Sequence, residues 1–321
     1  MTRTVPLDTL RTAFGDRLQE KVSLAHYTTA RTGGPADALL PVHTLDELVK
    51  AAQTLWELDT PFIVLGSGSN LLVSDAGVRA VVLLNQARNT RINARNTPPN
   101  VYAESGCNLG GLARQAALRG LSGLEWAATI PGTVGGAVYG NAGAHGADMK
   151  NNLILAEILH RNRGKETWTC DRMGYQYRSS VLKREPGQAV ILSATMQLMP
   201  STPEEVKAKM EAYTGYRRRT QPPGATMGSM FKNPDGDYAG RLIEAAGLKG
   251  ERIGEAEIST VHANFFINRG HATASDIWQL IRKAQMAVAE KFGIQLELEI
   301  ELLGDFSADE TVVNNTDHQA R

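Results

Sequence analysis

The sequence predicts an α+β protein built from two or three modules, and three observations carry that expectation. The chain has 321 residues, more than one ordinary domain holds. Apolar residues make up 42% of it, enough for several cores, which rules out wholesale disorder. Segments with helical three/four spacing alternate with short apolar runs broken by glycine, so neither kind of element dominates.

Residues 10–18 predict a short helix, followed by a connector that closes an N-terminal segment 1–23. Residues 44–59 predict a longer helix. Thr44 and Glu47 have capping-box spacing, and Leu45, Leu48, Val49, Ala52, Leu55 and Trp56 share one face. The runs 62–65, 71–73 and 78–84 read as strands separated by glycine turns. Residues 88–100, polar and carrying Pro98 and Pro99, predict an exposed loop or boundary. A second module begins with a strand at 101–104 and a helix at 109–119. A stretch from 132 to 146 follows, so rich in Gly and Ala that no ordinary helix or strand is expected there. Strands at 154–160, 167–169 and 190–198 complete the module.

Residues 200–203 mark a further boundary, and Thr202, Pro203 and Glu205 open a helix with proline in its first turn. The last module holds helices at 238–246 and 275–292 and a strand at 295–303. That strand alternates Leu296, Leu298, Ile300 and Leu302 with Glu297, Glu299 and Glu301. Residues 305–321 are polar and aperiodic, and no fixed structure is expected of them. The expected division is therefore 1–23, 24–88, 89–202, 203–304 and a tail 305–321.

Lys and Arg number 34 and so do Asp and Glu, a balance that disfavours wrapping nucleic acid or coating an anionic membrane. The two cysteines, Cys107 and Cys170, form no CxxC pattern, so neither a disulfide framework nor a metal site is expected. The N-terminus has no apolar signal core, and no stretch approaches the ~18 consecutive apolar residues of a membrane span. A soluble, cytoplasmic protein is expected.

Glycine is the unusual component, with 31 residues in clusters. Gly66, Ser67, Gly68, Ser69 and Asn70 lie between two apolar runs. With Leu71 in place of a third glycine, and a strand rather than a helix following, this is not a dinucleotide fingerprint. A nest of backbone N–H groups for a phosphate and an ordinary Gly/Ser hairpin explain it equally well. The cluster Gly132, Thr133, Val134, Gly135 and Gly136, continuing through Asn141 and Gly143, points to backbone packed against a large flat or phosphorylated ligand. Tight packing between modules is the alternative.

The segments Val64-Leu65-Gly66-Ser67-Gly68-Ser69-Asn70-Leu71-Leu72-Val73 and Ile130-Pro131-Gly132-Thr133-Val134-Gly135-Gly136-Ala137 resemble the FAD-binding signatures of the vanillyl-alcohol-oxidase/PCMH-type flavoprotein fold. Three further segments narrow the resemblance. They are Tyr175-Gln176-Tyr177-Arg178-Ser179-Ser180, Gly228-Ser229-Met230-Phe231-Lys232-Asn233-Pro234 and Leu296 to Gly304. Together they resemble the UDP-N-acetylenolpyruvoylglucosamine reductase family, from about Leu24 to Gly304.

The resemblance implies a two-part FAD-binding domain with a C-terminal α+β substrate domain. It also implies a noncovalent FAD, NADPH as hydride donor, and reduction of UDP-N-acetylglucosamine enolpyruvate to UDP-N-acetylmuramate for peptidoglycan precursor synthesis. The family's catalytic arginine falls on Arg178, its proton-donating serine on Ser229 and its glutamate on Glu299. Its FAD contacts fall on the two glycine clusters, residues 66–70 and 132–136, with Asn141 and Gly143. Only 50 residues lie between Arg178 and Ser229, which resembles the shorter family form without a substrate-clamping tyrosine loop. Neither nucleic acid nor a membrane is implied as partner, and a monomer is expected.

The residue types suit those roles. Arg178 stays charged and can bind a carboxylate through two parallel bonds, although a surface-paired arginine would look the same in sequence. Ser229 as an acid needs a strongly basic carbon beside it; otherwise it is a turn residue after Gly228. Glu299 belongs to a row of glutamates that a solvated sheet face would also explain. Substrate contacts are expected from Tyr177, Arg217, Lys232, Asn233, His262 and Asn264. For Arg217 the competing explanation is the helix C-terminal dipole, which favours basic residues there. A flavin oxidase would have no use for the Gly228–Pro234 motif, and a nucleotide-sugar sensor would not need Arg178, Ser229 and Glu299 together.

Overall fold

The computed structural model describes residues 5–307, so the expected tail lies, from residue 308 on, outside the described residues. The chain forms two compact units, neither a single stretch of sequence. The first takes the N-terminal residues to Gln19, Ala38–Ser67 and Ala80–Arg219. The second takes Glu20–Asp37, Gly68–Arg79 and the chain from Thr220 on.

In the first unit an antiparallel sheet has the strand order Gly164–Thr169, Leu153–His160, Ala189–Gln197, Asn100–Glu104 and Thr90–Asn93. Successive residues feed opposite cores. Ile158 and Ile191 join Trp126, Val134 and Val138 on one side. On the other, Leu159, Val190 and Leu192 join Leu48, Leu55 and Val81. Both faces are covered, which is why the middle strand opens on the continuous apolar run Ala189–Leu192. Thr90–Asn93 lies where a loop was expected. As an edge strand with largely exposed side chains it has no reason to alternate in polarity, so its sequence carries no strand signal.

Local signals place the helices well. Helix Leu45–Glu57 is capped by Thr44, whose hydroxyl accepts from the Glu47 N–H at 3.2 Å. The Glu47 carboxylate reaches one residue further back than a capping box requires, accepting from the His43 N–H at 2.7 Å. The first helix runs Leu7–Phe14, earlier than expected, and stops at Gly15 with φ +61°. Helix Pro203–Thr220 starts as read: Thr202 Oγ1 accepts from the Glu205 N–H at 3.2 Å.

The stretch 132–146 departs from expectation, because Val134–Gly140 is helical. Anchors at its ends outweigh the entropy cost of its glycines. Thr133 Oγ1 accepts from the Gly136 N–H at 3.3 Å, and the N–H groups of Val134 and Gly135 donate to Cys107 and Ser105 carbonyls at 2.9 and 2.8 Å. Asn141, left-handed at φ 48°, ends it.

The second unit packs helices Ala239–Ala245 and Ala274–Phe292 with a small antiparallel sheet, Arg252–Ile253, Ala256–Ile258 and Phe266–Asn268. Thr273 and Asp276 form a reciprocal capping box, and the Asp75 carboxylate accepts from the N–H groups of Ala274 and Ser275 at 2.9 Å each. Strand Leu71–Val73 pairs in parallel with Glu301–Leu303. In the expected strand at 295–303 Leu296 and Ile300 are enclosed, but Leu298 and Leu302 are only half-buried, as are Glu299 and Glu301. Only its last three residues lie in a ladder. Its earlier part pairs instead with the irregular segment around Met230. Among the described residues no helix is long and apolar enough to cross a membrane.

Candidate active site

Arg178 sits in a tight two-residue turn. Gln176 and Ser179 exchange backbone hydrogen bonds at 3.0 and 3.2 Å, leaving Tyr177 and Arg178 between them. Arg178 is left-handed, φ 54°, a conformation that costs a side-chain-bearing residue about 1–2 kcal/mol. Its Nη2 donates to the Gly143 carbonyl at 2.8 Å, and its guanidinium stands 5.2 Å from the centre of the exposed Tyr177 ring. Ser180, fully buried, anchors the turn by donating to the Tyr139 carbonyl at 2.6 Å.

Asn141 ties this turn to the glycine-rich segment. Its amide donates to Asp148 Oδ2 at 3.0 Å and to the Gln176 carbonyl at 3.1 Å, and its Oδ1 accepts from the Lys150 N–H at 3.0 Å. Gly143 is needed by the protein's own packing, since a Cβ there would meet Asp148 Cβ at 2.6 Å. The same holds at Gly135, where a Cβ would meet Ser105 Cβ at 2.9 Å, and at Gly66, where it would meet Thr133 Oγ1 at 2.6 Å. These three glycines therefore have a packing cause that the sequence did not separate from ligand approach.

Other glycines leave backbone bare. Gly136 and Gly140, one turn apart on the same face of Val134–Gly140, would set a Cβ no nearer than 3.6 Å to any atom. That open backbone face fits a large flat group. Residues beside it that could hold FAD are Thr133 and Gly136 at the helix start, with Gly66 packed on Thr133.

Ser229 and Glu299 come together in the second unit. The Glu299 N–H donates to the Met230 carbonyl at 2.9 Å, so the residue after Ser229 is bonded directly to Glu299. Phe231 bridges Leu298 on one side, and Ser229 bridges Phe265 on the other. Asn70 adds a third contact: its side-chain amide donates to the Glu299 carbonyl at 3.1 Å, and its carbonyl accepts from the Glu301 N–H at 2.9 Å. Gly68, in the same loop, is required because a Cβ would meet the Tyr27 carbonyl at 2.0 Å. Arg178 belongs to the first unit.

The expected substrate contacts divide. Lys232 pairs with Glu297, Nζ to Oε2 3.1 Å, and stays partly open. Asn233 accepts from the Ala239 N–H at 3.1 Å, starting a helix. Asn264 is buried and holds Phe231 twice: Oδ1 accepts from its N–H at 2.9 Å and Nδ2 donates to its carbonyl at 2.8 Å. His262 accepts the Asn264 N–H on Nδ1 at 3.2 Å; burial, then the Lys249 charge, push its pKa down. Arg217 Nη1 donates to the Thr129 carbonyl at 2.7 Å. The two-bond clamp of Asn264 on Phe231 had no local signal, because it joins residues 33 apart.

Residues 36–169 match the model of an FAD binding domain, and residues 220–303 match that of the UDP-N-acetylenolpyruvoylglucosamine reductase C-terminal domain. A UDP-N-acetylenolpyruvoylglucosamine reductase of Chloroflexus aggregans is 40% identical over 89% of this chain and 97% of its own length. One of Bacillus subtilis is 41% identical over 88% and 92%. The crystal structure of the Thermus caldophilus reductase superposes with a TM-score of 0.76 at 36% identity, covering 89% of this chain and 100% of that one. The fold and the glycine loops thus define an FAD-dependent oxidoreductase of α+β class with the two-part vanillyl-alcohol-oxidase/PCMH-type flavin domain. The chain belongs to the UDP-N-acetylenolpyruvoylglucosamine reductase family, flavoenzymes of peptidoglycan precursor synthesis that use NADPH.

Proposed function

We propose that Arg178, Ser229 and Glu299 carry the reduction of UDP-N-acetylglucosamine enolpyruvate to UDP-N-acetylmuramate. FAD, when bound, would supply the redox chemistry, the passage of hydride from NADPH to the enol-ether double bond. Arg178 binds the substrate carboxylate and offsets the negative charge that develops there as the double bond is reduced. Ser229 gives a proton to the carbon bearing the ether oxygen. Glu299 completes the proton path to Ser229. The observation that carries this reading is the bond from the Glu299 N–H to the Met230 carbonyl, which sets the two proton-handling side chains on neighbouring segments. One chain supplies all three residues, so the reading asks for no second copy, which supports a monomer. Its proposed substrates, a nucleotide sugar and NADPH, support a cytoplasmic location.

The two half-reactions test it. Ser229→Ala should bind FAD and be bleached by NADPH at close to the wild-type rate, because that step delivers no proton to substrate. Reoxidation by the enolpyruvyl nucleotide sugar should slow by ~10²–10⁴-fold, the usual worth of positioned proton transfer. Ser229→Cys should recover part of the rate. Reoxidation of Ser229→Ala at the wild-type rate would make Ser229 a turn residue and leave Glu299 as the donor.

A further inference from the structure

The helix Pro203–Thr220 buries only Val206 and Met210, both in its first half. Its second half is nonetheless held in place, by side chains that grip the glycine-rich segments. Lys209, Tyr213 and Arg217 recur at i, i+4 and i+8 and so share one face. Lys209 Nζ lies 3.6 Å from the carboxylate of Glu125, which is buried and also accepts from Ser122 and the Gly123 N–H. The Tyr213 ring stacks on His145 with centroids 4.0 Å apart and planes 1° from parallel. Arg217 Nη1 donates to both the carbonyl and the hydroxyl of Thr129, at 2.7 and 3.3 Å. Of three consecutive arginines only Arg217 is turned inward; Arg218 and Arg219 are exposed.

Thr129 stands three residues before Gly132, and His145 follows Gly143 in its hairpin. One helix face therefore holds the segments on both sides of the bare-backbone helix Val134–Gly140. We infer that Tyr213 and Arg217 are positioning residues for the flavin site, holding residues 129–136 and 143–148 in their binding geometry. The inference rests on the reading that these segments hold FAD. It extends the flavin-binding unit through residues 170–219, which neither family model covers. It also gives Arg217 a task other than the expected substrate contact.

Flavin-stripped full-length protein titrated with FAD, followed by flavin fluorescence, tests this. Arg217→Met and Tyr213→Leu should each raise the FAD dissociation constant by about tenfold or more, through lost preorganisation of the loops. Arg217→Lys and Tyr213→Phe should recover most of it. At saturating FAD, the KM for the enolpyruvyl nucleotide sugar should stay close to the wild-type value. As a control, Val206→Ala should lower the Tm of the apoprotein and leave FAD affinity unchanged. Wild-type FAD affinity in Arg217→Met together with a raised substrate KM would overturn the inference. Wild-type protein that takes up no FAD would overturn the flavin reading itself, and the inference with it. A second measurement needs no variant. In wild-type apoprotein, adding FAD should slow amide exchange in residues 129–136 and 213–217 together, and protection of the loop alone would again overturn the inference.

Discussion

Asn70 and Glu299 are 229 residues apart in the chain, and the side-chain amide of one donates to the backbone carbonyl of the other at 3.1 Å. Asn70 was expected to serve the cofactor. Its bonds within the protein support the segment that carries a proposed catalytic carboxylate. Asn70→Ala removes a bond worth about 0.5–1.5 kcal/mol. The substrate half-reaction should slow by about tenfold, while FAD affinity changes little. Stopped-flow traces of the two half-reactions beside an FAD titration decide the matter, and the opposite split would return Asn70 to the cofactor.

Arg178 is held in a left-handed turn and aimed by Gly143 and Tyr177. Arg178→Ala should lower kcat by ~10²–10³-fold, the usual cost of removing a group that meets developing charge. Flavin content, read as the ratio of bound FAD to protein, should stay near wild type. Arg178→Lys should recover little, because a point charge cannot replace the two-pronged bond. A defect confined to flavin reduction by NADPH would assign Arg178 to the nicotinamide nucleotide.

A Cβ at Gly66 would lie 2.6 Å from Thr133 Oγ1 and 2.9 Å from its Cγ2. Gly66→Ala should therefore destabilise by displacing Thr133 and uncapping Val134–Gly140. Thr133→Ala alone should cost about 1 kcal/mol as a lost N-cap. Since the second change removes the two atoms the first collides with, the double variant should lose less than the sum, by about 0.5–3 kcal/mol. Urea unfolding of the four proteins measures this coupling, and strict additivity would rule out the packing explanation for Gly66.

Glu257 is buried between Arg269 and Arg252. Its hydrogen bond to Arg269 is the largest of the influences that hold its pKa below the ordinary carboxylate range; burial pushes the other way. The unfolded chain then binds the proton more readily than the folded one. The stabilisation is complete above about pH 4.3, the unfolded value, and is lost as pH falls through the lower folded value. Glu257→Gln should cost about 1–3 kcal/mol at pH 7. Thermal melts of the two proteins from pH 7 to pH 3 should converge at the acid end; a constant gap would show that the charge is not what stabilises.

Signals confined to a few neighbouring residues survive into the structure. Thr44, Thr202 and Thr273 all cap helices, two of them read from a carboxylate three positions on. Where pairing decides the conformation, the sequence is mute. Thr90–Asn93 becomes a strand only because Asn100–Glu104 lies beside it, and residues 295–300 leave the ladder because Met230 and Lys232 take their backbone groups. The site divides likewise. Its motifs single out Arg178, Ser229 and Glu299 as the proposed catalytic groups, while the structural bonds of Asn141 and Asn264 to distant backbone could not be read from local sequence.

The parallel pairing of Leu71–Val73 with Glu301–Leu303 has a consequence during synthesis. Leu71 leaves the ribosome some 230 residues before its partner Glu301, and at ~5–20 residues per second that is a wait of roughly 12–46 s. Through that interval a short apolar strand edge stands open to pairing with other nascent chains. The second unit thus closes only once Glu301–Leu303 has been made, and a chain cut short before residue 301 leaves its early strand without this partner.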